Sequence, residues 1–301
     1  AEDCANCHAP HASAQPHLLA APPRELCATC HDPADAELTQ KHLGADLAQA
    51  DCLACHSPHG AGQPKLLAGN VHPPVLEGCD NCHEGASNRL LEGGGQALCV
   101  TCHSDVPEIA AKAVVQHPAM ESDACATCHN PHASERAKLL RAPEQSCGEC
   151  HSDQLAGAGE VQHGVIAVLG CQACHEPHGG SRPKLLRAEG AALCLACHDA
   201  TAVEAAGSGA LAPFPGLALS ALERQGMATL RLSAGGTRDH PTFGHRTLGQ
   251  ATEEELKRVE TRFRGELFCL TCHDPHKGRS STLLRWNAPS ASEACLQCHP
   301  M

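Results

Sequence analysis

All 22 cysteines of this 301-residue chain lie in pentapeptides of the form Cys-x-x-Cys-His, and each of the eleven copies keeps its histidine. The copies are Cys4, Cys7 and His8; Cys27, Cys30 and His31; Cys52, Cys55 and His56; Cys79, Cys82 and His83; Cys99, Cys102 and His103; Cys125, Cys128 and His129; Cys147, Cys150 and His151; Cys171, Cys174 and His175; Cys194, Cys197 and His198; Cys269, Cys272 and His273; and Cys295, Cys298 and His299. Two thiols three positions apart reach the two vinyl groups of one porphyrin, and the imidazole that follows is then held under the iron as its proximal ligand. Zinc uses the same thiol pairs, but it needs four ligands gathered from two such knuckles and does not require a histidine directly after the second cysteine. Disulfides suit an exported chain, yet they also leave the histidines unexplained. With 23 histidines in the whole chain, one in that slot eleven times out of eleven is not chance. The pattern predicts eleven covalently attached c-type haems.

Twelve histidines lie outside the pentapeptides: His11, His17, His42, His59, His72, His117, His132, His163, His178, His240, His245 and His276. Eleven irons need eleven sixth ligands if all are low-spin and bis-histidine. The near-equality favours electron transfer over catalysis, because a reactive haem keeps an axial position open or weakly held.

A longer unit recurs around the pentapeptides. It reads Cys-x-x-Cys-His-x-Pro-His, then a Leu-Leu pair seven residues on, then a second Cys-x-x-Cys-His, then a lone histidine before the next unit. The Leu-Leu pairs are Leu18 and Leu19, Leu66 and Leu67, Leu139 and Leu140, Leu185 and Leu186, and Leu283 and Leu284. In this respect the chain resembles the doubled-CxxCH family of multihaem cytochromes, over nearly its whole length except residues 199–268. One unit departs: after Cys79 to His83 the sequence runs Glu84-Gly85-Ala86 and reaches Leu90-Leu91 three residues early, as though x-Pro-His were deleted, while the unit at Cys52 has Pro-His but no second haem motif.

A histidine three residues after a proximal ligand cannot turn back over the far face of its own haem. On that ground His11, His59, His132, His178 and His276 are assigned to the second haem of a unit, at Cys27, Cys99, Cys147, Cys194 and Cys295. The lone histidines, seven to ten residues before a first-position motif, are assigned to that motif: His42 to Cys52, His72 to Cys79, His117 to Cys125 and His163 to Cys171. His240 or His245 serves the haem at Cys269. The haem at Cys4 has no upstream histidine, so its sixth ligand comes from the surplus member of that pair, from His17, or from another copy of the protein. His17 also has a plainer reading as a surface residue, in the slot that Lys65, Lys138 and Lys184 occupy in other units.

The elements that must position these groups are slight. The chain has no tyrosine, four phenylalanines and one tryptophan, so aromatic side chains cannot build the core and the porphyrins must. Between motifs it is rich in Pro and Gly and lacks sustained periodicity. The expected architecture is mostly irregular coil with short helices at the motifs, little β, and a continuous haem stack in an elongated, repeat-like array. Helices are expected at Asp105 to Val115 and Ala200 to Ala206. Three parts are expected: a nine-haem array over 1–198, a haem-free insert over 199–268, and a two-haem unit over 269–301. Within the insert, Thr252 and Glu255 resemble a capping box opening a helix through about Arg264, and Met227 to Leu232 alternates weakly like a strand. The insert reads either as a docking or polymerisation element or as an insulating loop.

The net charge of −12 and the absence of a basic stripe argue against nucleic acid, and no apolar run is long enough to span a bilayer. Because c-type haem is attached outside the cytoplasm, Ala1 reads as a mature end after signal cleavage, and its not being cysteine gives no sign of a lipid anchor. The expected role is electron transfer without catalysis, outside the cytoplasm. It would pass electrons to other redox proteins or external acceptors, as a filament of copies joined through terminal haems. A soluble periplasmic or porin-held conduit is the alternative. A multihaem nitrite or hydroxylamine reductase is a further one, although the lysine that often replaces the motif histidine in such enzymes is absent.

Overall fold

The computed structural model describes residues 3–60, 64–85, 87–121, 125–230 and 269–297. It divides into two compact units, one formed by Ala1–Asp105 with Glu121–Ala142 and the other by Val106–Met120 with Pro143–Met301. Both are mostly coil and turn with short helices, as expected. Helices form at Asp105–Lys112 and Ala200–Ala206, the two places foreseen outside the motifs. Of the weak alternation at Met227 to Leu232, residues up to 230 are described, and these give a single bridge, Leu230 to Asp199. Thr252, Glu255, His240, His245, Cys298 and His299 lie outside the described residues.

The motifs themselves make most of the local structure. In the first unit Cys4–Asn6, Cys52–Ala54 and Cys79–Asn81 are 3-10 turns. Asp3 and Asp51 cap two of them by accepting from the N–H of Ala5 and Leu53, a role short acidic side chains fill where turn N–H groups lack partners. The motifs at Cys27 and Cys99 instead end the helices Pro23–Ala28 and Gly94–Val100. In the second unit Cys147–Glu149 and Cys171–Ala173 are 3-10 turns, and the motif at Cys194 closes the helix Ala191–His198.

Two pairs of two-residue strands are the regular β structure of the described residues. In the first unit β1 (Asn70–Val71) pairs antiparallel with β2 (Ala133–Ser134). In the second, β3 (Val161–Gln162) pairs antiparallel with β4 (Lys277–Gly278). Each strand adjoins a histidine outside the motifs, so these small pairs matter more for ligand placement than for stability. A single bridge, Val115 to Gly180, repeats the same spacing from His117 and His178. Gly179 is required there, because its φ is +122° and a Cβ would lie 2.6 Å from the Cβ of Ala113.

No large side chain is fully buried among the described residues. The buried apolar positions are mostly alanine and leucine, such as Ala68, Ala133, Leu211 and Leu219. A chain of this length ordinarily buries a substantial core of large apolar side chains. The side chains here leave that volume to be filled by something else, in keeping with the aromatic-poor composition.

Candidate haem-binding site

Each first-position pentapeptide is one closed turn. The proximal histidine N–H donates to the carbonyl of the first cysteine, at 2.9 Å in the motifs at Cys4, Cys52, Cys79, Cys125 and Cys269 and 3.1 Å at Cys171. That turn sets two thiols and one imidazole as a single group, and every described cysteine is a free thiol.

The Leu-Leu segment orients the imidazole. In five units a residue with φ of about +60° precedes or joins the pair, as at Lys65 and Leu66 (+60° and +55°) or Lys184 and Leu185 (+57° and +58°). Consecutive left-handed residues are costly for side chains with a Cβ. Their effect is to turn a carbonyl onto the proximal Nδ1: His17 to His8 at 3.0 Å, Lys65 to His56 at 3.0 Å, Lys138 to His129 at 2.9 Å, Lys184 to His175 at 2.8 Å and Thr282 to His273 at 2.6 Å. A backbone bridge between the proximal histidine and the second leucine locks the loop, for example His8 to Leu19 and His175 to Leu186. A carbonyl at Nδ1 fixes the tautomer that leaves Nε2 free for a metal. His17 is thus exposed, as its plainer reading expected, and its contribution is a main-chain oxygen.

In the last three of the six repeats, which begin at Cys125, Cys171 and Cys269 and are counted as units four to six, an arginine directly after the leucines adds a clasp. Arg141 Nε donates to Ala126 O, Arg187 Nε to Gln172 O and Arg285 Nη1 to Leu270 O, each at 2.8 Å. Sequence reasoning passed over these arginines, although Leu-Leu-Arg recurs at the same place in three units.

Across the motifs, histidine rings meet in pairs of one kind, one motif histidine and one from outside the motifs. The ring centroids are 5.7 Å apart for His8 and His59, 6.3 Å for His42 and His56, 6.0 Å for His72 and His103, 6.0 Å for His83 and His132, 6.3 Å for His117 and His151, 6.0 Å for His163 and His198, and 6.2 Å for His175 and His276. Two metal–imidazole bonds of about 2 Å each, with the ring radii added, separate trans ligands of one metal by about 6 Å. The residues therefore fit haem iron with two axial histidines. Burial holds the pKa of His117, His132, His163 and His276 below the ordinary imidazole value, which keeps these rings in the neutral form that ligates.

Only one of these pairings, His42 with the motif at Cys52, is the one read from sequence proximity. His59 faces the motif at Cys4, not Cys99; His132 faces Cys79, not Cys147; and His276 faces Cys171, not Cys295. His72 faces Cys99, not Cys79; His117 faces Cys147, not Cys125; and His163 faces Cys194, not Cys171. The motif at Cys4, expected to draw on the surplus of His240 and His245, on His17 or on another copy, has His59. The rule is that a Pro-His serves the first motif of the preceding unit, and a lone upstream histidine serves the second motif of its own unit.

The small strands are the reason. The His72 N–H donates to His132 O at 3.0 Å, and its Nδ1 lies 3.0 Å from Pro131 O. The same clamp joins His163 to His276 O at 2.8 Å and to Pro275 O at 2.9 Å. A lone histidine and the next unit's Pro-His are thus held side by side, and they serve different motifs. His42 confirms the rule by its exception. Its unit has no second motif and the following unit has no Pro-His, so His42 turns to the motif at Cys52. Its Nδ1 is then set by Leu38 O of its own helix, Ala36–Lys41, at 2.9 Å. The missing Pro-His of one unit and the missing second motif of the other thus offset each other through His42.

Thiols of successive motifs also meet. The Cys171 S–H donates to the Cys147 sulfur, bringing Cys147 down to about 6 and pushing Cys171 up. Cys194 likewise donates to Cys269, which falls to about 7. Burial, with the adjacent Cys52 thiol, raises Cys27. Each of these contacts joins the second motif of a unit to the first motif of the next motif-bearing unit.

The described part of the insert closes on the motif at Cys194. Ala228 O lies 2.6 Å from His198 Nδ1, Leu230 N–H donates to His198 O, and Ala200 N–H donates to Leu230 O. The fold-back is held by the buried Arg224, which donates to Gly207 O at 3.1 Å and Gly209 O at 2.6 Å.

No curated protein matches the chain. The family model described as the doubled CXXCH motif matches six segments, residues 1–36, 45–71, 72–108, 117–156, 163–203 and 263–301. These segments cover well over half of the sequence and contain every ring named above except that of His42. With its model matching most of the length, the chain belongs to the doubled-CXXCH family of multihaem c-type cytochromes.

Proposed function

We propose that this chain carries eleven covalent haems, each with two axial histidines, and conducts electrons between redox proteins or external acceptors outside the cytoplasm. The observation that carries this reading is the one-to-one pairing of motif and non-motif histidines at about 6 Å. Haem supplies the one-electron iron couple; the chain fixes spacing, closes both axial positions and tunes potential through ligands and burial. The thiol contacts between successive motifs support an order of haems that follows the sequence, with the attachment edges of neighbours close together.

Assembly into a filament is the finer part of the proposal. His59, His132 and His276 each serve the preceding unit. The same register sends the exposed His11 to a first-position haem outside its own unit, and in a filament that haem would belong to a second copy of the chain. A mass spectrum of the intact holoprotein is expected to show eleven haem additions, and its ferric optical and EPR spectra to be low-spin throughout. Fewer additions, or a substantial high-spin fraction, would sink the conduit reading. Electron microscopy at high concentration is expected to show filaments, and monomers alone would remove the filament.

A further inference from the structure

One proximal histidine lacks the carbonyl that the others of its class possess. His83 Nδ1 is buried and has no hydrogen-bond partner among the described residues. The cause is the shortened loop. Elsewhere the proximal histidine bridges to a leucine eleven residues on, as His129 does to Leu140; His83 bridges to Leu90, seven residues on. Leu91 N–H donates to Cys82 O just as Arg141 N–H does to Cys128 O. Leu90 therefore stands where the second leucine stands in other units, and four residues are missing rather than three. The left-handed pair that aims the carbonyl is lost with them: Lys138 and Leu139 have φ of +58° and +57°, whereas neither Asn88 nor Arg89 has a positive φ.

We infer that His83 makes the haem at Cys79 the electron sink of the first-position haems, with a higher reduction potential than the others of that class. The inference rests on the haem-loading reading above. An Nδ1–H that donates to a carbonyl gives the imidazole anionic character and raises its basicity toward the metal, which favours the ferric ion. His83 is a weaker donor, so its iron is more easily reduced by one electron from a neighbouring haem. His83 is thus an axial ligand whose donor strength is read in the potential.

The test is a spectroelectrochemical titration of the holoprotein and two variants. The double variant Cys79→Ser with Cys82→Ser omits one haem, which mass spectrometry verifies. Its titration is expected to lose one component from the upper half of the potentials, with at least the five other first-position haems below it. In the second variant residues 84–90 are replaced by the eleven residues of the fourth unit, Asn130–Leu140, carrying His132→Ala so that no new ligand enters. It is expected to keep all its haems and to move one component to lower potential. Loss from the first variant of a component with fewer than five others below it, or a second variant that is fully loaded and unshifted, would overturn the inference. Absence of haem at Cys79 in the parent protein would instead overturn the haem-loading reading. The first variant decides the matter if the second does not fold.

Discussion

Two repeat units place similar motifs differently. Unit five, from Cys171 to His198, keeps its Pro-His, its left-handed Lys184 and Leu185, its Arg187 clasp and a carbonyl on each proximal Nδ1. Unit three, from Cys79 to His103, lacks the loop and the clasp and leaves His83 Nδ1 without a partner among the described residues. Both nonetheless face each of their motif histidines with a second ring, at 6.0 to 6.2 Å. The lesson is that axial ligation and orientation of the proximal ring are separable in this repeat. The partner ring comes from a strand pair borrowed from the next unit, while the orienting carbonyl comes from the unit's own loop. Losing the loop therefore changes the ligand's chemistry without removing a ligand from the same unit.

The largest effect is expected from breaking the borrowed strand pair in the intact region. Deleting residues 274–276 removes His276 from the motif at Cys171 and also Pro275 O, which sets His163 for the motif at Cys194. Two haems should lose low-spin character together, seen as a high-spin ferric EPR signal twice that of a one-haem loss. His276→Ala, which keeps the main chain and its carbonyls, should release one haem only. Equal signals from the two changes would show that Pro275 O does not hold His163.

The exception at unit two sharpens the comparison. His42→Ala should release only the haem at Cys52, because His42 is oriented within its own helix and supports no neighbour. A smaller effect is expected from the arginine clasp. Arg187→Ala removes a hydrogen bond from a charged donor to Gln172 O, a loss of about 1–2 kcal/mol. This should appear as a lower midpoint in chemical unfolding of the holoprotein with its spectrum at neutral pH unchanged.

The mildest effect is that of pH. Burial lowers the pKa of His163 and His276, so the stability that depends on their neutral rings is complete above the ordinary imidazole pKa of about 6.5. It is lost as pH falls through that value toward the depressed one, because the released or unfolded ring binds the proton first. Acid titration should therefore raise the high-spin fraction only below about pH 6.5, and a rise on the alkaline side would contradict the sign.

Much of the site is legible in the residues themselves. Cys-x-x-Cys-His specifies a closed turn by local hydrogen bonding, and the excess of histidines announces a second ligand for the irons. The Pro/Gly-rich spacing and the scarcity of aromatics likewise foretell coil around a core not made of side chains. The pairing was not legible, because what places a distal histidine lies far along the chain: His72 is held by Pro131 and His163 by Pro275, 59 and 112 residues away. Proximity in sequence offered the motif next to His72, and the strand pair turned it to the following one. The deleted loop was visible in sequence, but the Leu-Leu pair misaligned it by one residue. Only the backbone bridge at Leu90 shows which leucine keeps its role. The arginine clasp was legible as a recurring residue, though nothing local says that its acceptor lies fifteen residues back.

The central claim is the interlocked pairing, in which each Pro-His serves the first motif of the unit before it. A density map of the haem-loaded protein at side-chain resolution tests it most directly at the haem bound to Cys4 and Cys7. The account predicts His8 and His59 on opposite faces of that iron, with His17 O on His8 Nδ1. His59 on the haem at Cys99, or any other histidine across from His8, would contradict it.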